Sequence, residues 1–260
     1  MSNVVIPPTP AIVKLANQIN VVIGSFVKAR ATVHLGKWEA EIEASNLFNL
    51  VIRNIEGITE LANCDLVLLP AANVLARAVF EIAVKAAWMV QPDDPFQREV
   101  RWLAHLTEEA RTHDRIAIKV DKFGGDAEFF RSQAKLLESF RKGVAMRLPA
   151  GVAELAGNPS VEAMLESVGQ TKVYSVYTLL AAYVHGTHAS TWIYRRNLGT
   201  QKELGEFIRP KDWYLPLWTS WKTIQVLGSY LLDRLRSDHN EFVDVELSMR
   251  IDEACSSISR

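Results

Sequence analysis

Cysteine is nearly absent from this chain of 260 residues, with only Cys64 and Cys255. Two thiols so far apart build neither a disulfide framework nor a Cys-based metal pattern, and they are expected as reduced thiols in a cytosol-like compartment. Net charge is nearly absent too. Against 29 Lys and Arg stand 30 Asp and Glu, leaving −1, so any site for nucleic acid or anionic lipid must be local. The opening residues M-S-N-V-V-I-P-P-T-P lack the basic-then-apolar build of a signal peptide, which agrees with a cytoplasmic expectation. No G-x-S-x-G, Walker loop or C-x-x-C occurs, which removes the corresponding hydrolase, nucleotide-cradling and redox readings. Convincing period-two alternation and internal repeats are also missing. What remains is helix.

The longest apolar stretch runs from Leu66 to Val90. Pro70 aside, only Asn73, Arg77, Glu81 and Lys85 interrupt it, and they sit four apart. Steps of four on a helix advance 40° each, so the four share one slowly drifting stripe, and the rest of the surface is fit for burial by other helices. The stretch is long enough to span a bilayer. Three charges in its middle would each cost at least about 2.5 kcal/mol there, so a buried helix of a soluble bundle is expected, with no membrane partner.

Around it the chain predicts further helices in order. Thr9-Pro10 is an N-cap followed by proline, and Ile12, Leu15, Ile19, Val22, Phe26 and Val33 recur at helical spacing to a stop near Gly36. A second helix follows from about 37 to 62 and should pack antiparallel to the first. Asp94-Pro95 starts a fourth, which runs to about Val120. F-G-G-D stops it, and Asp126 caps a fifth. Breaks at L-P-A-G and G-N-P-S leave a loop or lid between Arg147 and Gln170, with one short helix at 160–168. Helices at 171–184, 218–236 and 241–257 complete the pattern, and residues 192–213 read as an exposed, irregular segment. The expected fold class is all-α, a single helical bundle of eight or nine helices without a sheet, centred on 66–90.

Three groups are candidates for chemistry. Arg77 and Glu81, one turn apart, neutralise each other on an apolar helix. Their stripe, with Asn73, is the helix's solvent side, a buried structural ion pair, or a ligand-orienting site. His185 and His188 have a His-x-x-His spacing that some metal sites use, with Glu81 as a third ligand. No acidic residue or cysteine lies beside them in sequence, so no metal and no cofactor is expected. Tyr177 and Thr178 lie two turns before His185 and extend a polar face. In the segment 192–221 four tryptophans are interleaved with Arg195, Arg196, Lys202, Arg209 and Lys211, a composition that stacks bases and holds phosphates or else simply packs.

A-R-A-V-F-E, followed a hundred residues later by Y-S-V-Y-T-L-L-A-A-Y-V-H-G, resembles an uncharacterised family of bacterial helical proteins. In that family an R-x-x-x-E helix pairs with a later Tyr-containing helix ending in His-Gly. The resemblance covers about residues 45–190. It implies that Arg77, Glu81 and His185 form one polar cluster, and it implies no activity. Such families are likened to the HEPN helical domains of toxins and defence nucleases, which cut RNA with R-x(4–6)-H. The nominal matches in this chain are Arg98…His105 and Arg234…His239.

Two functions follow as expectations. One is an RNA- or phosphate-processing toxin or defence protein in which Arg77 holds phosphate, Glu81 orients and His185 is the general acid or base. The other is a non-catalytic binding or regulatory module with a structural Arg–Glu–His cluster. Its binding residues are Asn73, Tyr177, His188, Arg195 and Arg196, and its partner is RNA or another phosphate-bearing ligand, a protein, or a second copy.

Overall fold

The computed structural model describes residues 4–149, 155–197, 199, 203–237 and 242–259. The first helix, α1 (Pro10–Arg30), begins where the Thr9 hydroxyl accepts a hydrogen bond from the Ile12 amide at 3.4 Å. It buries Ile12, Leu15, Ile19, Val22 and Phe26 on one side. It ends five residues before the expected stop, because Thr32 turns its hydroxyl back onto the Ala29 carbonyl at 2.7 Å. The next helix, α2 (Glu39–Cys64), buries Phe48, Val51, Ile55 and Ile58.

Asp65 then breaks the chain. Its carboxylate accepts the amides of both Val67 and Ile6 at 3.0 Å, and the Leu66 carbonyl accepts the indole N–H of Trp213 at 3.0 Å. One short turn is thereby pinned from two distant parts of the sequence. It delivers the chain into α3 (Leu69–Val90), whose alanines at 72, 76, 83, 86 and 87 are all buried. Small side chains along a helix let its neighbours approach closely, and α3 is packed against α2 and several later helices.

The fourth helix, α4 (Pro95–Lys122), starts as Asp94 accepts the Phe96 amide at 3.0 Å. Its first half is clamped to α2: Arg98 pairs with Glu41 at 2.6 Å, and Glu99 accepts the Ala40 amide at 2.9 Å. Its second half pairs with α5 (Glu128–Ala145), across a turn in which Gly124 takes a φ of +75°. A short helix, α6 (Val161–Ser167), and α7 (Tyr174–Val184) follow. Residues 150–154 of the expected loop, and Glu241, the expected start of the last helix, lie outside the described residues.

After α7 the chain runs through a 3-10 segment, His188–Tyr194, into a two-residue antiparallel ladder of Arg195–Arg196 with Glu203–Leu204. This is the one departure from a sheetless bundle among the described residues. Then come α8 (Tyr214–Lys222), a π-helical turn (Thr223–Gly228) and α9 (Ser229–Arg234), which form one continuous helix. The last, α10 (Val245–Ser259), packs on α1. Taking 214–234 as one, the described residues hold nine helices and almost no strand, an all-α fold. One apolar cluster reaches from Ile12 to Ile258.

Two stretches, Pro10–Arg30 and Leu66–Val90, are long and apolar enough to cross a membrane. Both carry faces buried against other helices of this fold.

Candidate functional site

The polar stripe of α3 does not have one environment. Asn73 is 1% exposed, the Arg77 side chain 14% and that of Glu81 37%, so the 40° drift carries the stripe from the core out to the surface. Arg77 donates to one Glu81 oxygen through Nε at 2.9 Å and Nη2 at 2.8 Å. Nη2 also donates to the Tyr177 hydroxyl of α7 at 3.0 Å, and the guanidinium lies 4.7 Å from the centre of that ring. Tyr177 stacks in turn on Phe80 and Tyr174, at 6.3 and 5.7 Å between ring centres. Burial and the neighbouring Glu81 charge raise its pKa, so the phenol stays protonated. Arg77 Nη1 and Asn73 Oδ1 are both buried without a protein partner among the described residues.

His185 does not join this cluster. It is the C-cap of α7 and is exposed, and its side chain makes no hydrogen bond or ion pair among the described residues. The reason is geometric. Phe80 meets Tyr177 while Leu69 and Tyr183 line one cleft, so α3 and α7 run antiparallel, and eight residues of helix separate Tyr177 from His185 by about 12 Å. The third member beside Arg77 and Glu81 is Tyr177. The His-x-x-His pair is also not on one helical face, because α7 ends at Val184 and Gly186 turns the chain with a φ of +61°.

His188, Arg195 and Arg196 do come together. They line a cavity of about 730 Å³ beside the start of α3, floored by Leu69 and Tyr183. The exposed Trp192 ring packs edge-on against His188, 5.9 Å between centres. Arg196 lies 4.3 Å over the Phe207 ring. A third arginine in the wall, Arg209, is already neutralised by Asp212 at 2.9 Å, and Asp212 also caps that turn by accepting the Arg209 amide. Neither Arg195 nor Arg196 has a carboxylate partner among the described residues. Burial, with the Asp212 charge behind it, raises the Tyr183 pKa and keeps its phenol a donor. Arg195 and Arg196 both border the cleft, the Arg196 guanidinium over Phe207, with Tyr183 and the Trp192 ring beside them.

The tryptophans of this region divide. Trp192 stands at the cleft, whereas Trp213 and Trp221 are fully buried and spend their N–H groups on Leu66 and Asp252. The nominal nuclease pairs are spent as well. Arg98 is buried between Glu41 and the Pro92 carbonyl, and Arg234 holds Asp93 and two carbonyls at the end of α3. His239 lies outside the described residues.

A polar group around His105, which sequence spacing offers only as a nominal partner of Arg98, joins three helices. His105 of α4 has its Nε2 3.7 Å from Glu43 of α2, and the Lys85 charge acts on both. Burial first, then Lys85, holds the imidazole down to about 4. Burial first, then the Glu109 and Glu39 charges, raises the Glu43 carboxyl. The two are therefore no ion pair at neutral pH, since the imidazole is uncharged. Its sequence signal is the nominal Arg98…His105 match in a helix rich in charges.

The model of a family of unknown function, DUF5677, matches residues 44–203, so the chain belongs to that family. No curated protein and no solved structure matches it.

Proposed function

We propose that this family member is a cytoplasmic, non-catalytic binding module that holds a phosphate-bearing ligand of the single-stranded RNA class in the cleft between α7 and the Arg195–Arg196 ladder. The observation that carries this is the sharing of one open cleft by Arg195, Arg196, His188 and exposed Trp192, with no carboxylate taken up by either arginine among the described residues. With a net charge of −1 the rest of the surface adds no long-range pull, so affinity rests on these local groups. Two phosphate contacts give a salt dependence with a slope of about −1.4 in log–log form, and one stacked base contributes about 1–3 kcal/mol.

The competing RNA-processing toxin or defence function needs Arg77 and His185 at one substrate. Arg77 is engaged by Glu81 and Tyr177, and His185 stands two turns away, which favours the binding role.

Fluorescence anisotropy with a labelled ten-nucleotide single-stranded RNA tests the proposal. Arg195→Ala and Arg196→Ala should each weaken binding about tenfold and lower the salt slope by about 0.7, while Trp192→Ala weakens it without changing the slope. The RNA should be recovered intact on a gel. Cleavage that disappears with His185→Ala would transfer the case to the processing function, and no binding at low salt would end the RNA proposal.

A further inference from the structure

Among the described residues, the hairpin of α4 and α5 leaves one helical face without a partner. Seen along α5, Ala127 and Ala134 are buried toward α4, and the outer side presents Phe129, Ser132, Leu136 and Gly143, with Phe140 at its edge against Trp102 of α4. Those five follow helical spacing closely and form one straight stripe about 21 Å long. Phe129 is 63% exposed, Leu136 62% and Phe140 50%. Singly exposed apolar residues are ordinary, but three large ones on a single stripe mark a contact surface.

The stripe is self-complementary. When two copies of α5 cross antiparallel with Leu136 on the two-fold axis, residues whose numbers add to twice 136 lie level. Phe129 then faces Gly143 of the other copy, Phe140 faces Ser132, and Leu136 meets itself. A large side chain meets a small one on either side of the dyad. The space is already there. A Cβ built on Gly143 finds nothing within 4 Å, and the Ser132 hydroxyl is turned back onto the Phe129 carbonyl at 2.8 Å. Phe140 is braced from behind by Trp102, ring to ring at 5.8 Å, so it presents a fixed edge.

Charge agrees with the same orientation. The N-terminal end of α5 carries exposed Asp126 and Glu128, and the C-terminal end carries exposed Arg147 and Lys142, the latter also 3.4 Å from Glu138 one turn back. An antiparallel pair sets the acidic end of each copy over the basic end of the other. A parallel pair would oppose like charges at both ends.

We infer that this face of α5 is a homodimer interface, occupied by α5 of a second copy in an isologous antiparallel pair. None of the residues lining the Arg195–Arg196 cleft belongs to α4 or α5, so dimerisation and ligand binding are separable.

Light scattering on the purified full chain at about 50 μM should give twice the 29.2 kDa chain mass. Leu136→Glu places two carboxylates together on the dyad and should raise the dissociation constant at least about 100-fold, with an unchanged far-ultraviolet circular dichroism spectrum because the side chain is exposed and the fold is kept. Gly143→Phe should also weaken the dimer by filling the seat of Phe129. Phe129→Ala combined with Gly143→Phe exchanges bump and notch and should restore it. A monomeric parent chain would overturn the inference. So would a dimer that survives Leu136→Glu, or a double variant no better than Gly143→Phe alone.

Discussion

Replacing Glu81 by alanine separates three descriptions of the α3 stripe by magnitude. Glu81 supplies the acceptor for two of the three hydrogen bonds that the Arg77 guanidinium makes. Arg77 is only 14% exposed, and its Nη1 already lacks a protein partner, so losing Glu81 leaves a half-buried cation with Tyr177 alone. In a dry site such a loss costs about 3–5 kcal/mol. Glu81 is 37% exposed, however, so water reaches the pair and screens it. The expected loss is about 1–2 kcal/mol, made of one hydrogen bond to a charged group and part of an ion pair. The contact of Arg77 with the Tyr177 ring persists, which keeps the variant folded. Urea unfolding followed by circular dichroism gives the number. A double-mutant cycle with Arg77→Met should return a coupling of about 1 kcal/mol. A loss below about 0.5 kcal/mol would make the stripe a plain solvent face, and one above about 3 kcal/mol would make the site dry. Either result refutes the description of a pair at the edge of the core.

The same unfolding assay reads two further predictions. Gly228→Ala puts a Cβ 3.1 Å from Phe26 and 3.4 Å from Phe48, two fully buried rings with nowhere to move, and should cost about 1–2 kcal/mol; Gly24→Ala, in open space on α1, should instead stabilise by up to about 1 kcal/mol. If both changes have the same sign, helix propensity and not close packing governs position 228. As pH falls, the unfolded chain protonates His105 near 6.5 while the folded imidazole resists until about 4, so stability drops across that window by up to about 3 kcal/mol. Glu43, whose raised carboxyl takes up its proton first in the folded state, offsets part of the drop, and His105→Gln should flatten the pH slope.

Helix positions were legible because each rests on local signals that the fold then uses. Thr9 and Asp94 stand at N-caps and accept first-turn amides, as their positions before proline suggested, and the α3 boundary follows Asp65 and Pro70. The R-x-x-x-E motif gave the Arg77–Glu81 pair, since an i,i+4 contact depends on one helix only. What spacing on one helix cannot carry is the crossing of two. Whether Tyr177 or His185 of α7 reaches Arg77 depends on the antiparallel register between α3 and α7, and eight residues along a helix is too far to adjust by rotating side chains. The same limit explains His105. Its burial comes from α2 and α3 together, and its own helix shows only a histidine among charges. The aromatic segment divides for a related reason. A tryptophan count does not say which indole faces a backbone carbonyl left open by a distant turn, and Trp213 is buried because the Asp65–Leu66 turn offers it one. Trp192 has no such carbonyl and stays at the surface, which is what leaves a ring free beside Arg195 and Arg196. The candidate cleft is therefore a product of the core: the residues that the turn does not claim are those left to meet a ligand.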